Sequence, residues 1–127
     1  MPKVTHHTSQ RLRRKHRVSA KLFGTGERPR LQVFRSNRYI YCQVIDDVAG
    51  QTILASNQLA LAKAATVKSA KKSKLTKTEH SVLVAQDLIK KLKAKKITML
   101  CFDRGHYKYH GRIKTVAQAL RDNGINI

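Results

Sequence analysis

Half of the excess positive charge of this chain lies in its first 38 residues. The 127 residues carry 27 Lys or Arg and 7 Asp or Glu, a formal net charge of +20, and residues 1–38 hold eleven of these bases beside one acid, Glu27. Such a charge repels itself, so a compact fold must spread it over an exposed surface and meet a polyanion there. The pattern predicts one small domain that binds nucleic acid.

The composition argues against several other classes of protein. No apolar run approaches the roughly 20 residues that cross a bilayer, and the basic N-terminus lacks the apolar segment of a secretory signal. Ile, Leu, Val and Phe supply 32 of the 127 residues, which is enough for a folded core in spite of the charge. Cys42 and Cys101 lie inside apolar stretches, which indicates buried, reduced thiols in a cytoplasmic protein without membrane association.

The type of base changes along the chain. Eight of the eleven arginines fall in residues 1–38, whereas residues 63–96 hold eleven lysines and no arginine. Arginine binds phosphate through a planar fork, while lysine is a solvated point charge. The arginine-rich end therefore predicts specific contacts. The lysine-rich part leaves two interpretations open, a diffuse attraction to nucleic acid and an ordinary solvated surface.

Residues 1–23 are predicted to form a basic arm ahead of the folded domain. Ser9 is a candidate N-cap for a short helix, but the few apolar positions form no complete face, which favours an arm that becomes ordered on its partner. Bases without interspersed acids favour contact with RNA phosphates over a solubilising tail or a targeting segment. The candidate contacts are Arg11, Arg13, Arg14, Lys15 and Arg17.

An antiparallel meander is predicted at the start of the folded domain, residues 24–127. Residues 30–36 and 38–46 alternate apolar and polar side chains with the period of two that is typical of half-buried strands. A short turn at residues 36–38 joins them into a hairpin. Residues 51–56 predict a third strand after a second turn, which completes the meander.

Two helices and one more strand are predicted to follow. Thr76 and Glu79 fit a capping box that begins the first helix, and the apolar run at residues 97–102 predicts a strand buried on both faces. The last helix ends at Asn123 and Gly124. The apolar helix positions are Val82, Ala85, Leu88, Ile89 and Leu92, then Ile113, Val116, Ala117 and Leu120. The order β-β-β-α-β-α predicts a small layered α/β domain with a mixed sheet.

The two faces of the predicted hairpin differ in chemistry. One face is apolar and resembles a core, with Leu31, Val33, Ile40, Cys42 and Val44. The other face and the turn carry Gln32, Phe34, Tyr39, Tyr41, Gln43, Arg35, Ser36, Asn37 and Arg38. Aromatic and amide side chains beside arginines suit base stacking and hydrogen bonding with RNA. The pattern alone leaves open the alternative that Phe34 and Tyr41 pack beneath a helix.

The loop DRGHYKYHGR, residues 103–112, is a second candidate RNA contact. It follows a predicted strand and leads into a helix, which is where α/β sheets place ligand sites. Gly105 and Gly111 permit a close approach of the backbone, and the helix N-terminus favours phosphate. Bases alternate with tyrosines here, so the candidate contacts are Arg104, Tyr107, Lys108, Tyr109 and Arg112.

The same loop permits a hydrolytic interpretation. Asp103, His106 and His110 form a D-x2-H-x3-H string of the residue types that bind zinc or manganese in a metal-dependent nuclease. However, zinc needs a further ligand, the flanking glycines oppose a helix that aligns the two histidines, and no second acid lies nearby in sequence. The sequence therefore favours a protein that is not an enzyme and needs no metal, cofactor or small-molecule substrate.

A generic nucleic-acid chaperone, or a DNA-compacting protein, is the other alternative. Such a protein binds through charge alone, so it predicts no preference for RNA over DNA. This alternative also does not account for the ordered hairpin and the loop motif. The discriminating observation is therefore the selectivity for one RNA.

Two long motifs in this chain resemble a known family. They are GTGERPRLQVFRSNRYIYCQVIDD, residues 24–47, and CFDRGHYKYHGRIKTVAQALRDNGI, residues 101–125. With the basic arm, they are similar to the bacterial-type large-subunit ribosomal protein eighteen, a family that binds 5S rRNA. The chain departs from that family in the lysine-rich residues 63–80, at His106, where a second glycine is usual, and at Cys42, where alanine is usual.

The resemblance implies a structural constituent of the large ribosomal subunit in the cytoplasm. Such a protein binds 5S rRNA and helps to attach it to 23S rRNA in the central protuberance, beside neighbouring large-subunit proteins. The resemblance adds Lys21 to the arm that grips the RNA backbone. For the sheet and its turn, it implies RNA contacts by Arg28, Arg30, Arg35, Ser36, Asn37, Arg38, Tyr39, Tyr41 and Gln43. For the loop, it implies contacts by Arg104, Tyr107, Lys108, Tyr109, His110, Gly111 and Arg112.

Overall fold

The part of the chain that the structure describes contains a four-stranded mixed sheet and the helices that accompany it. The computed structural model describes residues 9–61 and 76–127. The elements are α1 (Gln10–Ser19), β1 (Arg30–Arg35), β2 (Ile40–Asp46), β3 (Gln51–Asn57), α2 (Lys77–Ala94), β4 (Cys101–Asp103) and α3 (Arg112–Asp122). Residues 58–61, directly after β3, are also helical. The predicted α/β class with a mixed sheet is confirmed, and α1 precedes the predicted order of elements.

The strand order β3-β2-β1-β4 explains how distant segments meet. β2 pairs antiparallel with both β1 and β3, as predicted for the meander. β4 lies on the other side of β1 and runs parallel to it, with Gln32 opposite Asp103. Because the carboxyl ends of parallel strands lie at the same edge of a sheet, the loop after β4 lies beside the β1–β2 turn.

The fourth strand differs from its prediction. Only Cys101–Asp103 join the sheet, while Met99 forms an isolated bridge with Asn126 and is 41% exposed. The prediction of a strand over residues 97–102 that is buried on both faces is wrong, because β4 is a short strand at the edge of the sheet. Cys101 is accordingly only partly buried, which corrects its predicted burial. Cys42 is buried as predicted, and burial raises the pKa of its thiol to about 12.

The core lies between the sheet and the pair α2 and α3. The helix α2 contacts α3, β2 and β3. The buried residues include the five predicted sheet residues, all four predicted positions of α3, and Val84, Ala85, Leu88, Ile89 and Leu92 of α2. Val82 is only partly buried, and Val84 takes the core position instead. Each large side chain that is fully buried stabilises the fold by about 1.5–3 kcal/mol.

The start of α2 follows the predicted capping box. The Thr76 hydroxyl accepts a hydrogen bond from the Glu79 N–H at 3.3 Å, and the Glu79 carboxylate accepts one from the Thr76 N–H at 2.6 Å. These bonds satisfy two of the backbone donors that a helix leaves open at its start. Within residues 9–61 and 76–127, no helix has the length and apolarity that a membrane span requires.

Candidate nucleic-acid interface

The arm contains a helix that is anchored at one end. Ser9 begins α1, and its hydroxyl accepts a hydrogen bond from the Leu12 N–H at 3.3 Å. The helix buries none of its own residues, which agrees with the absence of a complete apolar face. At its end, the Ser19 hydroxyl donates to the Asp103 carboxylate at 3.3 and 3.4 Å. This contact ties the basic helix to the last residue of β4.

A cavity of about 590 Å³ opens between α1, the β1–β2 turn and the loop before α3, and we call it the cation cavity. Its lining residues are Arg11, Arg14, Phe34, Arg35, Ser36, Asn37, Lys77, His106, Tyr107, Lys108, His110, Gly111 and Arg112. Among these described residues, six are Lys or Arg and none is Asp or Glu. The arm, the turn and the loop, which the sequence predicts separately as RNA contacts, therefore meet at one concave surface.

Tyr107 fixes the loop to the end of β1. Its hydroxyl accepts a hydrogen bond from the Arg35 N–H at 3.0 Å and donates one to the Arg35 carbonyl at 2.9 Å. The Arg35 guanidinium lies 5.1 Å from the centre of the Tyr107 ring. Because Tyr107 is only 8% exposed, it has little surface to offer to a base, and its contribution is to position Arg35.

Arg112 connects the start of α3 to the hairpin. Its Nη2 donates to the Ser36 carbonyl at 2.9 Å, whereas its Nη1 is buried and has no hydrogen-bond partner among the described residues. Burial lowers the pKa of Arg112, and the charge of Arg35 lowers it further. A buried donor without an acceptor costs free energy, which an anion in the cavity would recover.

His106 experiences the same concentration of positive charge. Burial lowers its pKa, and four nearby bases lower it further: Arg11, Lys15, Arg35 and Arg14. The imidazole is therefore held in its neutral form by its surroundings near neutral pH. A negatively charged ligand would reverse this effect, so the site is electrostatically prepared for an anion.

The polar face of the hairpin is open beside the cavity. Phe34 is 56% exposed and Tyr39 is 39% exposed. Opposite Phe34 on β2, the Tyr41 hydroxyl accepts a hydrogen bond from the Gln43 side-chain amide at 2.9 Å. The alternative that Phe34 packs beneath a helix is therefore wrong. An RNA contact of this face stays a prediction, and its exposed aromatic rings are available for one.

The remaining predicted contacts do not line the cation cavity. Arg17 and Arg104 line a smaller neighbouring cleft of about 220 Å³ between α1 and the loop. Tyr109 points elsewhere: it meets the Phe102 ring edge-on at 6.3 Å, and its hydroxyl accepts a hydrogen bond from Arg121. Five further bases are exposed and line neither space, namely Arg13, Lys15, Lys21, Arg28 and Arg38.

Arg30 is turned toward two carboxylates. Its guanidinium donates to Asp47 at 3.0 and 3.1 Å and to Asp103 at 2.8 Å. The hydrogen bonds to Asp47 raise the pKa of Arg30 against the effect of burial, and Arg30 in turn lowers the pKa of Asp47. Asp47 also accepts from the Gly24 N–H at 2.7 Å, at a point where a Cβ on Gly24 would lie 2.5 Å from the Arg30 nitrogen. Arg30 therefore has a structural role, because it connects β1 to Asp47 after β2 and to Asp103 of β4.

The Asp103 carboxylate belongs to the same hydrogen-bond network as Arg30. Its side chain is 1% exposed and accepts hydrogen bonds from Arg30, Ser19 and the Gly105 N–H. Within residues 9–61 and 76–127, no group of three or more His, Cys, Asp or Glu is arranged to hold a metal ion. The geometry that the nuclease interpretation requires, with Asp103 beside His106 and His110, is thus not present in the described part of the chain.

Sequence reasoning missed two residues of this region. Lys77 and His106 line the cation cavity, although neither was predicted as an RNA contact. Phe34 also lines the cavity, and it belongs to the hairpin face that the sequence predicts for base stacking. No local signal existed for Lys77, because its position depends on how α2 crosses the sheet.

The comparison with known families covers the chain almost from end to end. A family model described as ribosomal L18 of archaea, bacteria, mitochondria and chloroplasts matches residues 5–127. This range includes both motifs of the sequence and every described residue of the cation cavity. The chain therefore belongs to the ribosomal L18 family and is an rRNA-binding protein of the large ribosomal subunit, with the role in translation that its motifs predicted.

Proposed function

We propose that this chain binds 5S rRNA and helps to attach it to 23S rRNA in the central protuberance, next to neighbouring large-subunit proteins. Its role is structural and requires no metal, cofactor or small-molecule substrate. One observation carries the proposal: arginine and lysine side chains from three distant segments converge on a cavity whose described lining contains no carboxylate. A polyanion such as RNA relieves the repulsion within such a cluster.

Neutralisation of phosphates supplies most of the affinity in this proposal. The exposed bases of α1 and the arm, residues 1–23, grip the RNA backbone and release its counterions. Arg35 presents a guanidinium fork, which binds phosphate oxygens in pairs. Arg112 contributes its Nη1, which has no hydrogen-bond partner among the described residues. These contacts position the protein on the RNA without reading its sequence.

Recognition of 5S rRNA rests on the folded domain, residues 24–127. The open hairpin face offers Phe34, Tyr39 and Tyr41 for stacking, and Asn37 at the turn can pair with a base edge. Arg28 and Arg38 are exposed outside the cation cavity, so they suit contacts with the backbone of either RNA. The shape of this surface distinguishes the proposal from a chaperone that acts by charge alone.

The test is a binding measurement with three competitors. We expect the protein to bind 5S rRNA more tightly than an unrelated RNA of equal length or a DNA duplex, with affinity that falls steeply as salt rises. Equal affinity for 5S rRNA and the unrelated RNA would contradict the proposal and favour a generic chaperone. RNA cleavage that requires added zinc or manganese and is abolished by His110→Ala would favour the nuclease.

A further inference from the structure

We propose that the cation cavity receives one unpaired nucleotide of the rRNA, with its phosphate at Arg35 and Arg112 and its base against Phe34. The inference rests on the proposed function and states which part of the RNA enters the protein. It assigns a nucleotide site to a cavity, whereas phosphate neutralisation alone requires only an exposed basic surface.

The shape of the cavity favours a single nucleotide over a double helix. A volume of about 590 Å³ lies in the range of sites that enclose small ligands, which is roughly 300–1,000 Å³. A paired RNA helix presents its phosphates on a convex surface, and its deep major groove hides the bases from side chains. An unstacked nucleotide, by contrast, projects from the RNA and can enter a concave site.

The phosphate position follows from donors that lack acceptors. Arg112 Nη1 is buried without a partner among the described residues, and the Arg35 guanidinium is directed by the ring of Tyr107. The N-cap of α3 is Gly111, with a φ of 60°, and it supplies no side-chain acceptor to the first N–H groups of the helix. Side-chain and backbone donors on this wall therefore favour the same ligand, an anion.

The base position follows from Phe34. This ring lines the cavity and is 56% exposed, near the end of β1 beside the turn. Every base has a flat π-face that stacks on an aromatic side chain whatever its identity. Asn37 and Ser36 at the adjacent turn supply polar groups for the edge of the same base.

The first experiment measures the affinity of Phe34→Ala for 5S rRNA at several salt concentrations. We expect a loss of about 5- to 150-fold, the range for one stacked base, with an unchanged salt dependence because no phosphate contact is removed. Phe34→Tyr retains an aromatic ring and should restore the affinity. The matched control is Phe23→Ala, since Phe23 is 63% exposed but does not line the cavity. Thermal denaturation of each variant checks that the fold is intact.

The second experiment locates the nucleotide by 2′-hydroxyl acylation of 5S rRNA, alone and with each protein. We expect at least one unpaired nucleotide whose reactivity changes with the wild-type protein and returns to its free value with Phe34→Ala, while the rest of the footprint persists. An affinity within twofold of wild type and an identical footprint for Phe34→Ala would overturn the nucleotide site alone. Failure of the wild-type protein to bind 5S rRNA would overturn the proposed function and this inference with it.

Discussion

The cation cavity and the C-terminal half of α2 carry charge of the same sign but arrange it in opposite ways. In the cavity, bases converge without a carboxylate among the described lining residues. On α2, Lys91 Nζ lies 2.9 Å from the Asp87 carboxylate and donates to the Ala55 carbonyl at 2.7 Å. Directly after the helix, Lys95 Nζ donates to the Ile53 carbonyl at 3.1 Å. Lys91 and Lys95 therefore have partners within the protein.

The partners of Lys91 and Lys95 indicate a structural role for these two lysines. Ile53 and Ala55 belong to β3, which forms one edge of the sheet. An edge strand exposes unpaired backbone groups that recruit other strands, and lysines over that edge prevent such pairing. Lys91 and Lys95 are exposed, so they fit the interpretation of a solvated surface, and they also cover the edge of the sheet. The part of the lysine-rich stretch at residues 63–75 lies outside the described residues.

The largest expected effect concerns Arg30, which lies in the basic end of the chain but, like Lys91, is paired with carboxylates of the protein itself. Asp103→Ala should lower the free energy of unfolding by about 3–5 kcal/mol, because it removes a buried charge that pairs with Arg30. The substitution also leaves the Gly105 N–H and the Ser19 hydroxyl without their acceptor. Urea denaturation measures the change.

The control for this variant is Asp122→Ala. Asp122 is an exposed residue at the end of α3, and its loss should change stability by less than about 0.5 kcal/mol. If Asp103→Ala cost no more than the control, Arg30 would not need Asp103. Arg30 would then depend on Asp47 alone, and the contrast between the arginines inside and outside the cavity would be weaker.

The next effect tests the cavity directly. Arg35→Ala should weaken 5S rRNA binding by about 1.5–3 kcal/mol, the contribution of a hydrogen bond to a charged group. The slope of log affinity against log salt should also fall by roughly 0.7–0.9, since one phosphate contact is lost. Lys93→Ala, on the exposed side of α2, removes the same charge outside the cavity and should change the affinity less than twofold. Equal losses from both variants would mean that net charge alone decides binding.

The hairpin and its two faces could be predicted from the sequence, whereas the meeting of distant segments at the cation cavity could not. The alternation of Leu31 and Val33 with polar residues is local information, so the hairpin and its two faces were predictable. The convergence of α1, the turn and the loop depends on β4 pairing parallel to β1. The sequence indicated a crossover but not which edge of the sheet it reaches.

The roles of individual charges were harder to predict than the fold. Arg30 and Arg35 lie five residues apart in the same strand, yet one is paired with two carboxylates and the other lines the cavity. The difference comes from Asp47 and Asp103, which reach Arg30 only in the folded sheet. Sequence reasoning recognises a basic segment, whereas pairing across the fold decides which bases remain available to a ligand.

A smaller effect is expected at the edge of the sheet. Lys91→Met combined with Lys95→Met should lower the free energy of unfolding by about 1 kcal/mol, because the lost contacts are exposed to solvent. Binding of 5S rRNA should change less than twofold, and the uncapped β3 edge should promote concentration-dependent association. Denaturation and analytical ultracentrifugation measure the two properties. The charge-matched control is Lys90→Met with Lys93→Met, on the exposed side of α2. A large loss of RNA affinity in the Lys91 and Lys95 variant alone would place α2 in the interface.

The smallest expected effect is a pH dependence that belongs to His106. Its pKa in the free protein is lowered from 6.5, by burial first and then by nearby bases. Its contribution to stability is therefore present above pH 6.5 and is lost as pH falls through the lowered pKa. An RNA phosphate in the cavity offsets the repulsion between His106 and the bases, so the pKa of His106 is higher in the complex than in the free protein. Binding therefore takes up protons, and the affinity should rise by a few-fold as pH falls below 6.5.

The measurement is the affinity for 5S rRNA from about pH 8 to 5. The rise should be absent in His106→Gln and present in His16→Gln, whose imidazole lies on α1 outside the cavity lining. A gain that persists in His106→Gln would mean that His106 is not the group that responds to the RNA charge.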